Sequence, residues 1–143
     1  MRTFLDSSVL VAAVVQKHEN HKRAYALLDR VQSGIDEGFV SAHSLAEMYA
    51  VLTKLPPPYR HTPEQALLSI EENVVKHFKI TGLTGSDYTA SIREAALTGI
   101  QGGTIYDALL LKCATKPGVE KIFTLNFEAF PNHRTPEPRV TNF

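Results

Sequence analysis

Short hydrophobic runs alternate with longer stretches of helical periodicity along this chain. Compact apolar runs bounded by polar residues predict buried strands, at residues 2–5, 38–41, 78–81, 121–124 and 139–141. Apolar residues at helical spacing predict the intervening helices, at 7–15, 21–31, 42–55, 63–77, 86–97 and 104–116. Strands that alternate with helices favour a parallel sheet with helices on both faces, an α/β fold.

The helix boundaries carry capping signals. Asp6 or Ser7 is expected to cap the first helix, and Asn20 the second, because short polar side chains satisfy the unpaired amides of a first turn. Ser86 and Thr104 are expected to cap two later helices in the same way.

Three acids stand in apolar surroundings. Asp6 closes the first strand, Glu47 interrupts an apolar helix, and Asp107 is the only charge between residues 104 and 111. A buried carboxylate needs hydrogen bonds, a base or a metal ion, and no Lys or Arg lies within helical reach of these three. If the fold gathers them, they form an oxygen-only site suited to Mg²⁺ or Mn²⁺.

Each acid also has a structural interpretation. Asp6 is a good helix cap, Glu47 fits a solvated helix face, and Asp107 favours the positive end of a helix dipole. The hydroxyls of Ser7 and Thr104 either cap helices or orient a carboxylate or a metal-bound water. The three acids together favour a functional site more than any one of them does alone, since polar sites of parallel α/β folds lie at the carboxyl ends of strands.

Length, charge and cysteine content limit the kinds of protein that this sequence can encode. The 143 residues predict one domain, 1–143, and 15 basic against 15 acidic residues exclude a polyanion binder by bulk charge. A local basic cluster is formed by Lys17, Lys22 and Arg23. These side chains either contact phosphate groups or belong to a solvated helix face. A single cysteine, Cys113, excludes an intramolecular disulfide and predicts a small core residue. With no apolar run of membrane-spanning length, we expect a cytoplasmic protein that makes no membrane contact.

Four segments together resemble the PIN-domain ribonuclease family, particularly the VapC-type toxins of bacterial toxin–antitoxin pairs. They are Phe4–Leu10, Ser41–Glu47, Ile105–Leu109 and Thr124–Phe127. The resemblance covers nearly the whole chain in the family's order. It implies a three-layer α/β/α sandwich around a mostly parallel sheet of four to five strands.

The resemblance also implies a function. Asp6, Glu47 and Asp107 would ligate Mg²⁺ or Mn²⁺ for RNA cleavage, and the protein would form a homodimer and bind a cognate antitoxin. Many relatives carry a fourth acid where Asn126 or Ala129 stands here. Asn126 retains an amide oxygen and Glu128 is a nearby substitute, so both are supporting candidates.

The leading hypothesis is therefore a metal-dependent endoribonuclease toxin whose basic cluster helps to hold RNA. The alternative is a catalytically weak or inactive protein of the same fold that acts by binding RNA or protein. A phosphoacceptor receiver domain fits less well, because one Asp rather than an acidic pair follows the first strand and Ser41 ends the second.

Overall fold

The computed structural model describes residues 1–125 and 139–142. Within these ranges a sheet is flanked by six α-helices. The strands are β1 Arg2–Leu5, β2 Glu37–Ser41, β3 Phe78–Thr81, β4 Lys121–Thr124 and β5 Arg139–Asn142. The helices are α1 Ser7–Val14, α2 His21–Gln32, α3 Ala42–Leu52, α4 Pro63–Ile70, α5 Gly85–Thr98 and α6 Thr104–Thr115.

All strand pairs of the sheet are parallel, and the order is β3-β2-β1-β4-β5. The chain moves outward from β1 to β2 and β3, then crosses to the other side of β1 for β4 and β5. The order therefore reverses between β1 and β4. In open α/β sheets the crevice at such a reversal, beyond the carboxyl ends of the strands, is where sites form.

The two faces of the sheet are covered by different helices. Leu5, Val40 and Phe123 belong to a hydrophobic cluster with residues of α1 to α4. Their neighbours along the strands, Phe4, Phe39 and Ile122, point the opposite way because successive side chains alternate across a sheet, and they pack with Ala114 of α6. This arrangement confirms the predicted α/β/α sandwich and its parallel sheet.

Close packing at β2 requires a glycine. A Cβ on Gly38 would lie 2.5 Å from Cγ1 of Val31 and 2.7 Å from the ring of Phe78. Val31 and Phe78 are both buried, so neither has free space into which to move. The missing side chain thus allows α2 and β3 to approach β2.

Two helices end earlier than predicted. The third helix was expected to reach Leu55 but ends at Leu52, where the Thr53 hydroxyl donates to the carbonyl of Tyr49 and competes with further helical bonding. The fourth, expected to reach residue 77, is α-helical only to Ile70 and continues as a π-helical segment, Glu71–Val75. Hydrophobic periodicity does not register this change because both forms bury one face.

Two predicted caps were wrong, and a third is confirmed only in position. Asn20 is the N-cap residue of α2, as predicted, but its side chain makes no capping hydrogen bond, and its backbone amide donates to Nδ1 of His18. The cap of α5 is Thr84 rather than Ser86, since Thr84 and Asp87 form a reciprocal capping box that satisfies two amides at once. Thr104 is the first residue of α6, after Gly103, rather than its cap.

Cys113 is buried, as predicted, and its thiol donates to the Thr81 carbonyl. Among the described residues no helix has both the length and the apolarity needed to cross a bilayer. The assignment of 1–143 to one domain stays a prediction.

Candidate active site

Asp6 lies at the reversal of strand order, directly after β1, and is only 5% exposed. It is the N-cap of α1, and its Oδ1 accepts the Ser7 amide at 2.7 Å. Its own amide donates to the Phe123 carbonyl of β4. The capping interpretation of Asp6 is therefore confirmed, and the cap position places the carboxylate at the carboxyl ends of two adjacent strands.

Two hydroxyls that the sequence did not single out also bind this carboxylate. The hydroxyl of Thr124, the last residue of β4, lies 2.7 Å from Oδ2 of Asp6, and that of Ser8 lies 3.0 Å from the same oxygen. The Ser8 oxygen also accepts the amide of Leu125. Two features of the sequence could have indicated these hydroxyls. Thr124 ends a predicted strand, and Ser8 is the second serine after Asp6.

Glu47 comes from α3, which Ser41 positions at the end of β2. The Ser41 hydroxyl accepts the Ser44 amide and so caps the helix that carries Glu47. Burial raises the pKa of the Glu47 carboxyl above its ordinary value, and the charges of Asp6 and then Asp107 raise it further. His43 and a hydrogen bond from Ser7 act the other way. His43 is exposed, with its Nε2 3.8 Å from Oε1 of Glu47.

Asp107 comes from the opposite face of the sheet, in the first turn of α6. Partial burial raises the pKa of its carboxyl, and the negative charge of Asp6 raises it further. Asp6 therefore acts electrostatically on both other acids. The fold thus brings three carboxylates from separate parts of the chain within electrostatic reach of one another.

The donor set suits a hard divalent cation. Its ligating atoms are carboxylate oxygens, and the mutual repulsion that raises the pKa of Glu47 and Asp107 is what a cation would relieve. Within residues 1–125 and 139–142, however, no three His, Cys, Asp or Glu side chains are grouped closely enough to hold one metal ion. The acids supply the right chemistry without forming a closed coordination shell.

The supporting candidates divide into three groups. The Ser7 hydroxyl lies 3.4 Å from Oδ1 of Asp6 and also interacts with Glu47, so it belongs to the site. Thr104 is exposed, one turn before Asp107. Asn126 and Glu128 lie outside the described residues.

The basic cluster follows α1. Lys17, Lys22 and Arg23 are exposed. Nearby, Nδ1 of His21 lies 2.9 Å from the carbonyl of Ala12 and holds the start of α2 against α1. Because Asp6 caps the same helix, that contact lies about 9 Å along α1 from the acid site at the usual helical rise.

A separate groove lies away from the three acids. Its volume is about 580 Å³, and residues between Pro58 and Asn73 line it. None of the three acids lines this groove. The site is therefore defined by its charges and hydrogen bonds rather than by a deep cavity.

This chain is similar to known proteins along most of its length. A family model described as the PIN domain matches residues 3–132. Ribonuclease VapC40 of Mycobacterium tuberculosis is 35% identical over 132 residues, an alignment that covers 87% of this chain and 86% of that protein.

Two solved structures share the fold at low sequence identity. VapBC2 from Rickettsia felis, bound to a DNA fragment from its promoter, aligns with a TM-score of 0.68 at 20% identity and covers 100% of this chain and 99% of that one. Mycobacterium tuberculosis VapC20, a Sarcin-Ricin loop cleaving toxin, aligns with a TM-score of 0.66 at 17% identity and covers 89% and 93%. The chain therefore belongs to the PIN domain family.

Proposed function

We propose that this protein is a metal-dependent endoribonuclease that acts as the toxin of a toxin–antitoxin pair. The observation that carries the proposal is the convergence of Asp6, Glu47 and Asp107 at the carboxyl ends of β1 and β4, where burial and the charge of Asp6 raise the pKa of both Glu47 and Asp107. Three like charges placed close together destabilise one another, so their presence in one region is better explained by a bound cation than by a structural role. The 35% identity to a protein named as a ribonuclease supports the same function.

Asp6, Glu47 and Asp107 would hold Mg²⁺ or Mn²⁺. When bound, such an ion lowers the pKa of a water that attacks the phosphodiester and stabilises the charge of the leaving oxygen. Asp6 supplies a carboxylate fixed by hydrogen bonds from Ser7, Ser8 and Thr124. Glu47 and Asp107, which are more exposed, enclose the crevice from α3 and α6.

The substrate would be held by its backbone. Lys17, Lys22 and Arg23 present positive side chains to solvent at the junction of α1 and α2. Contacts of this kind bind phosphate and position RNA without reading its sequence. Replacing Lys17 and Lys22 by Gln should raise KM and flatten its salt dependence while kcat changes little. Lys54→Gln, which alters an exposed lysine in the turn after α3, should change neither KM nor its salt dependence.

The partner would be a cognate antitoxin that covers the acid site. The structural likeness to VapBC2 bound to promoter DNA supports this partner. We also propose that the protein is cytoplasmic. We further propose that it forms a homodimer, and light scattering of the purified chain measures the molar mass that tests this.

Cleavage of labelled, structured RNA by antitoxin-free protein tests the proposal. We expect cutting with Mg²⁺ or Mn²⁺, none with EDTA, and none by Asp6→Asn. Asp29→Asn is the matched control, since it makes the same change on the exposed face of α2. Cutting that persists in EDTA, or in a folded Asp6→Asn variant, would refute the metal-dependent mechanism.

The alternative is a catalytically inactive PIN-fold protein that acts by binding RNA or protein. Asn126 and Ala129, at positions where relatives carry a fourth acid, favour it. Absence of cutting from folded protein with several RNAs and both metals, together with retained RNA binding, would establish this alternative.

A further inference from the structure

We infer that Ser8 and Thr124 are positioning residues that reserve one oxygen of Asp6 for a cation. Together they saturate Oδ2, so that Asp6 would ligate the metal through Oδ1 alone. This inference deepens the proposed function and rests on it for the presence of a metal.

The hydrogen bonds at Oδ2 account for its full accepting capacity. The Thr124 hydroxyl donates from 2.7 Å and the Ser8 hydroxyl from 3.0 Å. A carboxylate oxygen offers about two acceptor positions, and both are occupied here. Thr124 is fully buried, so water does not compete for its hydroxyl.

The direction of each bond is fixed by its partners. The backbone amide of Leu125 can only donate, so the Ser8 oxygen accepts from it at 3.1 Å. Ser8 keeps its one hydrogen for Asp6, since an ionised carboxylate has no hydrogen to donate in return. A chain of bonds therefore runs from the Leu125 amide through Ser8 to Oδ2, and it suits an ionised Asp6 because an ionised carboxylate only accepts.

The other oxygen is less occupied. Oδ1 accepts the Ser7 amide at 2.7 Å, while the Ser7 hydroxyl lies at 3.4 Å, too far for a strong bond. The Ser7 hydroxyl also forms a hydrogen bond with the Glu47 carboxylate. Counting only contacts from residues 1–125 and 139–142, one acceptor position on Oδ1 is left for a cation.

Ser8 also links the acid site to the chain after β4. Its bond to Leu125 holds the residue that precedes Asn126, where many relatives of the family carry an acid. The same serine thus positions the first acid and Leu125, the residue that follows β4. Loss of a hydrogen-bonding partner of a metal ligand typically lowers metal affinity by about 10- to 100-fold.

Mn²⁺ binding to the full chain, followed by electron paramagnetic resonance of the free ion, tests the inference. We expect Ser8→Ala combined with Thr124→Val to raise the Kd by about 10-fold or more. Thr124→Ser retains the hydroxyl and should bind as the wild type does. Ser91→Ala, which removes another buried hydroxyl far from Asp6 in sequence, should also leave the Kd unchanged.

A second readout needs no metal. Ser8→Ala should speed hydrogen exchange of the Leu125 amide in EDTA, and thermal unfolding in EDTA shows whether each variant is folded. If the double variant does not fold, Ser8→Ala alone should still raise the Kd several-fold. A Mn²⁺-bound crystal structure should place the ion on Oδ1 of Asp6.

The outcomes separate the two proposals. Wild-type binding with equal binding by folded Ser8→Ala and double variants, or an ion on Oδ2, would overturn the positioning role alone. Wild-type protein that binds no Mn²⁺ would overturn the metal-dependent function and this inference with it.

Discussion

The hydroxyl of Thr124 donates a 2.7 Å hydrogen bond to Asp6, although 118 residues separate the two in sequence. The bond joins the carboxyl ends of β4 and β1, which are neighbours only because the strand order reverses between them. The candidate site is therefore a property of the assembled sheet, and each of its parts belongs to a different element.

Removing the charge of Asp107 should lower RNA cleavage without lowering the thermal stability of the fold. The raised pKa of Asp107 means that its ionised form is disfavoured in the fold, partly by Asp6. In EDTA we expect Asp107→Asn to unfold at the same temperature as the wild type or higher. RNA cleavage should fall by about 100-fold or more, because a metal centre contributes several kcal/mol of charge stabilisation.

Thermal unfolding in EDTA and the RNA assay, run on the same preparations, check this prediction. Asp29→Asn should match the wild type in both. An unfolding temperature several degrees lower for Asp107→Asn would show instead that this carboxylate stabilises the fold.

Gly38→Ala should destabilise the protein. The new methyl group would overlap Val31 and Phe78, which are buried between α2, β2 and β3. Overpacking of this kind costs about 1–3 kcal/mol. Chemical denaturation should show that loss for Gly38→Ala and none of comparable size for Gly82→Ala, where a Cβ meets nothing within 4 Å. Equal stabilities would mean that the packing around β2 is looser than described.

The pH dependence of stability should include Asp87. Lys116, whose Nζ lies 2.7 Å from Oδ2, and the amide of Thr84 lower the pKa of Asp87 to about 2. A lowered acid pKa stabilises the fold above the ordinary value of 3.8, and that contribution is lost as the pH falls from there toward about 2.

Asp87→Asn isolates the charge, since an amide oxygen still accepts the Thr84 amide. Denaturation at neutral and acidic pH should show a smaller loss on acidification for this variant than for the wild type. Asp29→Asn should retain the wild-type slope. Identical slopes for all three proteins would rule out the Asp87–Lys116 contribution.

Cys113 should be unreactive in the folded protein. Burial raises the pKa of its thiol to about 11, so at about pH 8 only about one molecule in a thousand carries the reactive thiolate. A colorimetric thiol reagent should label it slowly at that pH and fast in concentrated guanidinium. Fast stoichiometric labelling of folded protein would contradict the buried position.

The sheet was largely predictable because most of its strands are short segments whose apolar residues stand between polar turns. The predicted limits of β1, β3 and β4 coincide with the observed ones, and β2 differs by one residue at its start. Helix ends were less predictable, since they depend on particular hydrogen bonds. The choice between Ser86 and Thr84 as the cap of α5 turns on whether Asp87 can reach back to the Thr84 amide.

The acids of the candidate site were predictable, but their environment was not. A carboxylate among apolar residues is visible in sequence, and Asp6, Glu47 and Asp107 were found in that way. The hydroxyls of Ser8 and Thr124 belong to the site only because β1 and β4 are paired, a relation between distant residues that no local pattern contains. Their role could not be read from either segment alone.

The position of β1 in the middle of the sheet also has a consequence for protein synthesis. A nascent chain that has emerged through β3 contains Asp6 and Glu47, but it lacks Asp107 and the strand that pairs with the other side of β1. The acid site is completed only by the part of the chain that the ribosome makes late. Under the proposed function, the nascent chain would therefore be unable to cleave RNA until translation has passed Thr124.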